Sequence, residues 1–162
     1  MLDLLEMKNC YSKAAATPGT DALRKLIEAE APLSTSDHKI YRRIIGQLLW
    51  LSSIRPDIQF AVEELSRGLT SPTEDRRTKM KSLLRYLAGT KPYVMTFRPK
   101  TIPHLKQTSF DVDTYVDSGW AGCHTTRRST SGMALYFDLI TSQSRTQQTI
   151  ALSSGEAPLL PT

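Results

Sequence analysis

The chain has 162 residues, of which 40% are hydrophobic and 23% charged, so it has the composition of one ordinary globular domain or two small ones. It contains no apolar run near the ~20 residues that a membrane-spanning helix needs, and its two cysteines are too few for a disulfide framework. Composition and its net charge of +5 therefore exclude membrane-spanning, disulfide-knotted and fibrous proteins.

Basic residues are concentrated in the middle of the chain. Residues 39–106 contain fourteen Lys and Arg against five Asp and Glu, which is a charge of +9, whereas each flank carries −2. The stretch 76–110 contains nine basic residues and no acidic residue. A basic centre between acidic flanks is typical of a protein that contacts a polyanion with one face. A basic helix face that is merely solvated gives the same pattern.

The first regular elements along the chain are predicted to be helices. Residues 16–19 read Ala-Thr-Pro-Gly, which is a turn or linker signal, and a short helix is predicted just after it, over residues 20–31. Ser36 is placed to cap a longer helix over residues 37–53, whose apolar residues recur at helical spacing. That apolar stripe consists of Tyr41, Ile44, Ile45, Leu48 and Leu49.

Two more helices follow. Arg-Pro-Asp at residues 55–57 ends the long helix and starts the next with proline in its first position, and Gly68 lies near the end of that helix. Ser-Pro-Thr-Glu at residues 71–74 is a capping box for the third helix, and Gly89 supplies its stop signal. The buried stripe of this third helix is predicted to contain Met80, Leu83, Leu84 and Leu87.

Two sets of basic residues are candidate nucleic-acid contacts. Arg77, Lys81 and Arg85 recur at four-residue spacing on the third helix, so three cations follow its axis. The row predicts contact with phosphates, although such side chains can instead cover apolar surface with their stems. Arg127 and Arg128 precede Ser-Thr-Ser-Gly, a pattern that indicates a β-turn which either contacts phosphate or simply closes a hairpin.

The second half of the chain has the period of β-strands. Short β-runs are predicted at residues 93–98, 114–116, 133–137 and 149–152, separated by Pro, Gly, Ser and Thr. A helical first half followed by a β-meander predicts an α+β fold. The predicted segments are an N-terminal segment and linker at residues 1–36, a helical region at 37–106 and a β-rich region at 107–162.

Two carboxylates lie at positions that are typical of metal ligands or catalytic acids. Asp117 follows an apolar strand and precedes Ser-Gly-Trp-Ala-Gly, and Glu156 follows Ser-Ser-Gly directly after the last predicted strand. Brought together by a sheet and a following helix, the two could share a divalent cation, and Mg²⁺ prefers such oxygen ligands. A strand-terminal aspartate that only caps a turn is the alternative. The sequence shows no zinc-ligand spacing and no glycine-rich phosphate loop.

Several sequence blocks occur in one order along nearly the whole chain, and together they resemble the Pol polyproteins of copia-type LTR retrotransposons. The blocks are Tyr-Arg-x-x-x-Gly-x-Leu-Leu-Trp-Leu at 41–51, Arg-Pro-Asp-Ile at 55–58, Leu-Ser-Arg at 65–67, Ser-Pro-Thr at 71–73, Leu-Arg-Tyr-Leu-x-Gly-Thr at 84–90, Tyr-x-Asp-x-x-Trp-Ala-Gly at 115–122, Arg-Ser-Thr-Ser-Gly at 128–132 and Ala-Leu-Ser-Ser-x-Glu-Ala at 151–157.

The resemblance implies a place in the polyprotein for each half. Residues 37–106 would be the thumb and connection region of a reverse transcriptase, which cradles the backbone of an RNA–DNA hybrid. Residues 107–162 would begin a ribonuclease H domain, in which Asp117 and Glu156 would be catalytic residues that bind Mg²⁺ for hydrolysis of the RNA strand. The implied partners are the hybrid, or another nucleic acid, and the rest of the Pol polyprotein.

The chain also departs from the family pattern. Gly119 replaces the second aspartate of Asp-x-Asp-Trp, Pro158 replaces the second glutamate of Glu-Ala-Glu, and Ser142 stands where the family usually has tryptophan. The polymerase Asp-Asp motif and the third ribonuclease H aspartate lie outside the matching segment. We therefore expect a truncated ribonuclease H that binds nucleic acid and is catalytically incomplete. A non-catalytic interaction module and a decayed transposon relic are the alternatives.

Overall fold

The computed structural model describes residues 15–19, 31–96, 112–123, 126–136 and 141–159. The chain divides into two compact units, Met1–Tyr93 and Val94–Thr162, which are taken separately below. Apart from Ala31, the helix predicted at the N-terminal side of the first unit falls outside these ranges, as does the boundary predicted at residue 106.

Within its described residues, the first unit contains three of the four helices that the sequence predicts. They are α1 (Thr35–Ser52), α2 (Gln59–Ser66) and α3 (Glu74–Gly89), with a 3-10 turn at Pro56–Ile58 before α2. Proline fits this turn because its fixed φ is helical and the first turn of a helix leaves its N–H unused. None of the helices in the described ranges is long and apolar enough to cross a membrane.

Both predicted helix caps were wrong by two residues. Ser34, not Ser36, caps α1, because its Oγ accepts a hydrogen bond from the Asp37 N–H at 3.2 Å. Thr73 caps α3 through the Arg76 N–H at 3.5 Å. In each case several hydroxyl residues compete within a few positions. An isolated bridge between residues 32 and 73 keeps both segments extended up to the observed caps, and this tertiary contact decides between the candidates.

The core of the first unit is built by one stripe from each helix. Two predicted members lie outside it, since Leu49 is 43% exposed and Leu87 is only partly buried, while Tyr86 is buried instead. A residue next to a core position is turned by about 100° around the helix axis, which takes Leu49 to the surface. The buried cluster consists of Tyr41, Ile44, Ile45, Leu48, Ile58, Ala61, Val62, Leu65, Met80, Leu83, Leu84 and Tyr86.

The second unit is a three-stranded antiparallel sheet. Its strands β1 (Asp113–Gly119), β2 (Thr130–Tyr136) and β3 (Thr141–Thr146) lie in the order β1-β2-β3. Helices followed by an antiparallel meander confirm the α+β class. A second 3-10 turn, Ala157–Leu159, packs against β1.

Two of the predicted strands are not strands in the structure. Residues 149–152 form bends and irregular backbone, and residues 93–96 have no regular structure, while residues 97–98 lie outside the described ranges. The third strand is instead Thr141–Thr146, which contains no apolar residue. Its pairing with β2 decides the assignment, because backbone hydrogen bonds to a neighbouring strand do not need an apolar sequence.

Candidate nucleic-acid interface and carboxylate positions

Helix α1 has an exposed face that points away from its own core. Lys39, Arg42, Arg43, Gly46 and Trp50 follow one another at helical spacing, and we call these five residues the α1 outer face. All five are exposed, and the Trp50 side chain is 73% exposed. Three cations therefore precede a glycine and an unburied indole ring along one side of the helix.

Gly46 lies in open space on this face. A Cβ atom added there would meet no atom within 4 Å, so the packing of the protein does not require a glycine. Glycine inside a helix is nevertheless destabilising by about 0.5–1 kcal/mol relative to alanine. The open position leaves room for another molecule to approach the helix backbone at Gly46. A glycine that interrupts a helical pattern is the sequence signal that points to this position.

The cations of the α1 outer face are available for an anionic partner. Among the described residues, Lys39, Arg42 and Arg43 make no ion pair. Cationic side chains beside an exposed aromatic ring are the combination that binds nucleic-acid backbones and bases. This face is hard to recognise in the sequence, because its charged residues alternate with the apolar stripe of the same helix.

The predicted basic row on α3 is only partly available. Arg77 forms ion pairs with Asp37 at 3.4 Å and with Glu74 at 3.0 Å, so two carboxylates offset its charge. Lys81 and Arg85 are partly exposed and have no ion pair with another described residue. The row thus offers two uncompensated cations instead of three, and its contact with phosphate stays a prediction.

Arg127 and Arg128 lie in the loop between β1 and β2. The Arg127 N–H donates to the Cys123 carbonyl at 2.8 Å, and the Arg128 carbonyl accepts from the Cys123 N–H at 3.1 Å. Arg127 has a φ of 55°, the left-handed conformation of a tight turn. The two residues close the hairpin with their backbone, and both side chains are exposed.

Two of the sequence blocks meet in a side-chain cluster at the end of α3. Arg55 donates from Nε and Nη2 to the two carboxylate oxygens of Asp57, at 2.9 and 2.7 Å. The Tyr86 hydroxyl donates to Asp57 at 2.8 Å, and Arg55 also reaches the Thr90 hydroxyl at 2.9 Å. This cluster, the Arg55–Asp57 clamp, ties the turn after α1 to the end of α3. The Arg-Pro-Asp and Tyr-Leu-x-Gly-Thr motifs are therefore structural partners.

In the described part of the first unit, the groups with shifted pKa values are Tyr41, Asp57, Tyr86 and Arg55, whose pKa is raised mainly by its hydrogen bond to Asp57. The hydrogen bond from Arg55 is the main reason that the pKa of Asp57 is lowered. Burial raises the pKa of Tyr86, and its bond to Asp57 adds to the increase. Burial also raises the pKa of Tyr41 to about 12, against the opposing effect of Arg76. Each shift favours the protonation state that these residues have near neutral pH, so the shifts describe packing and not acid–base catalysis.

The two predicted metal ligands are each held by a backbone amide. Asp117 is exposed on β1, and its Oδ1 accepts a hydrogen bond from the Ser118 N–H at 2.8 Å. Glu156 lies in the turn that follows the irregular segment after β3, and its Oε2 accepts from the Leu152 N–H at 2.7 Å. The two carboxylates therefore accept from backbone amides in different parts of the second unit.

The sheet register places these two regions on opposite faces. Ser118 lies opposite Ser131, so the two side chains share one face, while Asp117 points to the other. The Gln147 Nε2 donates to the Ser131 Oγ at 2.8 Å and to the Ala157 carbonyl at 2.5 Å. The turn after β3 is therefore bound to the face that Asp117 does not share.

This arrangement does not fit one Mg²⁺ ion held by both carboxylates. Carboxylate oxygens suit the ion chemically, but Asp117 and the turn that carries Glu156 lie on different faces. Within the described ranges, no group of three or more His, Cys, Asp or Glu residues is placed to hold a metal. The catalytic and metal-binding roles of the two residues stay predictions of the resemblance, and no reaction step is derived through Mg²⁺.

Comparisons with known proteins identify the relatives of the chain. It is 33% identical over 159 residues to the retrovirus-related Pol polyprotein from transposon RE2 of Arabidopsis thaliana, and 32% over 160 residues to that from transposon RE1 of the same plant. It is 32% identical over 165 residues to the Pol polyprotein from transposon TNT 1-94 of Nicotiana tabacum. These matches cover 96%, 97% and 97% of the chain.

These three relatives are retrovirus-related Pol polyproteins of transposons, so the chain is a retrotransposon-derived protein. It belongs to the family of copia-type retrotransposon Pol polyproteins, which confirms the resemblance drawn from the sequence blocks. The chain spans about a tenth of the length of these relatives, 10% of RE2 and RE1 and 12% of TNT 1-94. No protein-family profile and no solved structure matches it.

Proposed function

We propose that this chain is a nucleic-acid-binding segment of a Pol polyprotein, and that its first unit grips an RNA–DNA hybrid with the α1 outer face. The observation that carries the proposal is Gly46, an open glycine between exposed cations and the exposed Trp50. The choice of a hybrid as ligand rests on the sequence resemblance, which implies that this segment is the thumb and connection region of a reverse transcriptase. The remaining polyprotein is the proposed protein partner.

Each part of the α1 outer face has a physical role in this binding. Lys39, Arg42 and Arg43 neutralise phosphates, which releases counterions and favours association. The missing side chain at Gly46 lets the sugar–phosphate backbone come close to the helix. The Trp50 ring supplies a flat apolar surface for a sugar or base.

We propose further that the chain by itself does not hydrolyse the hybrid. Two carboxylates on different faces cannot clamp the attacking and leaving oxygens of a phosphodiester, which two-metal hydrolysis requires. Polymerisation and hydrolysis are proposed for the whole polyprotein, of which this chain covers a small part. Incubation of a labelled hybrid with the chain and Mg²⁺ should leave the RNA strand intact. Cleavage that Asp117→Asn abolishes would contradict this proposal.

The hybrid-binding proposal is tested by Gly46→Ala. Fluorescence anisotropy of a labelled hybrid should show binding weakened about tenfold, a loss typical of one disrupted close contact. Urea unfolding should show the same variant stabilised by about 0.5–1 kcal/mol, since alanine is the better helix former. Gly155→Ala is the matched control, because an added Cβ there has only one atom at 4.0 Å, in the second unit.

Weaker hybrid binding together with higher stability in Gly46→Ala would show that the substitution disturbs the interface and not the fold. If Gly46→Ala bound the hybrid as well as the unchanged chain, the α1 outer face would not be the interface.

The salt dependence of binding distinguishes nucleic acid from a protein partner. The slope of log K against log salt should become shallower by about 0.9 for each phosphate that Arg42→Gln or Arg43→Gln leaves without a cation. Arg145→Gln, which removes an exposed cation on β3, is the control and should leave the slope unchanged. An affinity that does not depend on salt concentration would favour the alternative, a non-catalytic module that binds protein.

A further inference from the structure

We propose that Glu156 is the capping residue of the turn at residues 153–159 and that its carboxylate holds the polypeptide instead of a metal ion. The inference goes beyond the proposed hybrid binding and does not depend on it, because it concerns only the second unit. It assigns a structural role to the residue that the family resemblance assigns to catalysis.

The hydrogen bonds around Glu156 are those of a capped helical turn. The Ser153 Oγ accepts from the Glu156 N–H at 3.1 Å, and the Glu156 carboxylate reaches back to the Leu152 N–H at 2.7 Å. The Ala157 N–H donates to the Ser153 carbonyl at 3.2 Å, which is a helical four-residue step. Serine followed three residues later by glutamate is the sequence pattern of a capping box, but here the glutamate accepts from the N–H of Leu152, one residue before the serine whose N–H the standard box uses.

The capped turn has a fixed place on the sheet. Ala157 is fully buried, and its carbonyl accepts from Gln147, whose side chain is also fully buried. At the other end, the Trp120 Nε1 donates to the Ala151 carbonyl at 3.1 Å. Between these two anchors, the Glu156 carboxylate accepts from the Leu152 N–H and closes the turn.

This arrangement leaves Glu156 poorly placed to bind a metal ion together with Asp117. One carboxylate oxygen of Glu156 is already used by the Leu152 amide, and Asp117 lies on the other face of the sheet. The proline at position 158 does not disturb the cap, because none of the capping hydrogen bonds uses the backbone nitrogen of residue 158.

Substitutions at position 156 separate the two roles. Gln keeps the length of the side chain and an acceptor oxygen, and capping boxes use either Glu or Gln. Asp keeps the charge but is one methylene shorter, so it does not reach the Leu152 amide. If residue 156 is a cap, Glu and Gln should protect the Leu152 amide better than Asp and Ala do. If residue 156 is a metal ligand, Glu and Asp should bind Mg²⁺ better than Gln and Ala do.

The experiment is amide hydrogen exchange by NMR on the full chain, following the amides of Leu152 and Ala157 with and without millimolar Mg²⁺. We expect Glu156→Gln to exchange within about threefold of the unchanged chain, and Glu156→Ala about five- to tenfold faster, as for a missing helix cap. Mg²⁺ should not change the exchange rate of either amide. Ser153→Ala should resemble Glu156→Ala, and Ser153→Thr should restore protection because threonine also caps.

Two results would overturn the proposal. One is exchange in Glu156→Gln as fast as in Glu156→Ala. The other is protection by Mg²⁺ in the unchanged chain and in Glu156→Asp, with no such protection in Glu156→Gln. Glu156→Gln keeps the test decisive even if the alanine variant unfolds. Hybrid binding by the α1 outer face is measured separately and is not affected by either result.

Discussion

At the residue scale, motifs that identify the family stabilise the first unit through hydrogen bonds between their side chains. Arg55 and Asp57 form a bidentate ion pair, and Tyr86 and Thr90 complete the clamp from the end of α3. Bidentate arginine–carboxylate pairs are among the stronger hydrogen-bonded contacts in proteins, because both groups are planar and charged. The clamp explains why two motifs that lie about thirty residues apart occur together.

The clamp predicts a loss of stability in Asp57→Asn. Removing the charge leaves Arg55 without its ionic partner, so urea unfolding at neutral pH should show a loss of about 1–3 kcal/mol. Tyr86→Phe, which removes a single hydrogen bond, should cost about 1 kcal/mol and is the milder comparison. Equal stability of Asp57→Asn and the unchanged chain would show that the clamp contributes nothing.

The same carboxylate predicts a pH dependence. Because the pKa of Asp57 is lowered from its ordinary 3.8, the ionised form stabilises the folded state above that value. This contribution is lost as the pH falls from 3.8 through the lower pKa of the folded state. The stability difference between the unchanged chain and Asp57→Asn should therefore shrink over this acidic range. Urea unfolding at a series of pH values measures it, and a constant difference would contradict the assignment.

At the element scale, two glycines in the first unit have opposite roles. Gly46 of α1 faces open space, whereas Gly68, just after α2, lies against the side chain of Arg76 from α3. Arg76 crosses this position to donate to the Glu64 carbonyl at 3.0 Å. Gly68 therefore permits the close approach of α2 and α3, while Gly46 plays no part in helix packing.

This contrast predicts that Gly68→Ala destabilises the first unit. The added Cβ would lie 2.5 Å from the Arg76 Nε and 2.8 Å from its Cζ, so the flexible Arg76 side chain must move, and we expect it to lose its hydrogen bond to the Glu64 carbonyl. The loss of one such hydrogen bond costs about 0.5–1.5 kcal/mol. Thermal unfolding should show the loss in Gly68→Ala and a gain in Gly46→Ala. A neutral Gly68→Ala would mean that Arg76 rearranges without cost.

At the scale of the whole molecule, the two units differ in how well they bury apolar surface. The helical unit has a continuous core with many side chains fully buried. On the sheet, Tyr115 is 63% exposed and Val116 is 57% exposed, although the two point to opposite faces of β1. Neither face of β1 is therefore well covered within the described part of the unit, so less burial stabilises the sheet.

Hydrogen exchange across the full chain should reflect this difference. The amides of α1 and α3 should be strongly protected, and those of β1–β3 only weakly, because local stability follows the buried apolar contacts. Strong protection across residues 112–153 would contradict the expectation. The anchored amide of Ala157 is the internal reference within the second unit.

The family, the α+β class and the positions of α1, α2 and α3 were all predictable from the sequence. Helical periodicity and proline or glycine signals are local properties, so α1, α2 and α3 were predictable from neighbouring residues alone. Cap positions were less accurate because several nearby hydroxyls, such as Ser34 and Ser36, satisfy the same local rule. The strand Thr141–Thr146 was missed since its only strong signal is its pairing with β2.

Which of the predicted functional residues lie close to one another depends on the tertiary structure. Arg77 of the α3 row is paired with Asp37 of α1, and the outer face of α1 became visible only when its burial was known. The register of β1 and the anchored turn after β3 separated Asp117 from Glu156. Such contacts join residues far apart in the chain, and no local pattern encodes them, because side-chain pairing depends on how whole elements pack.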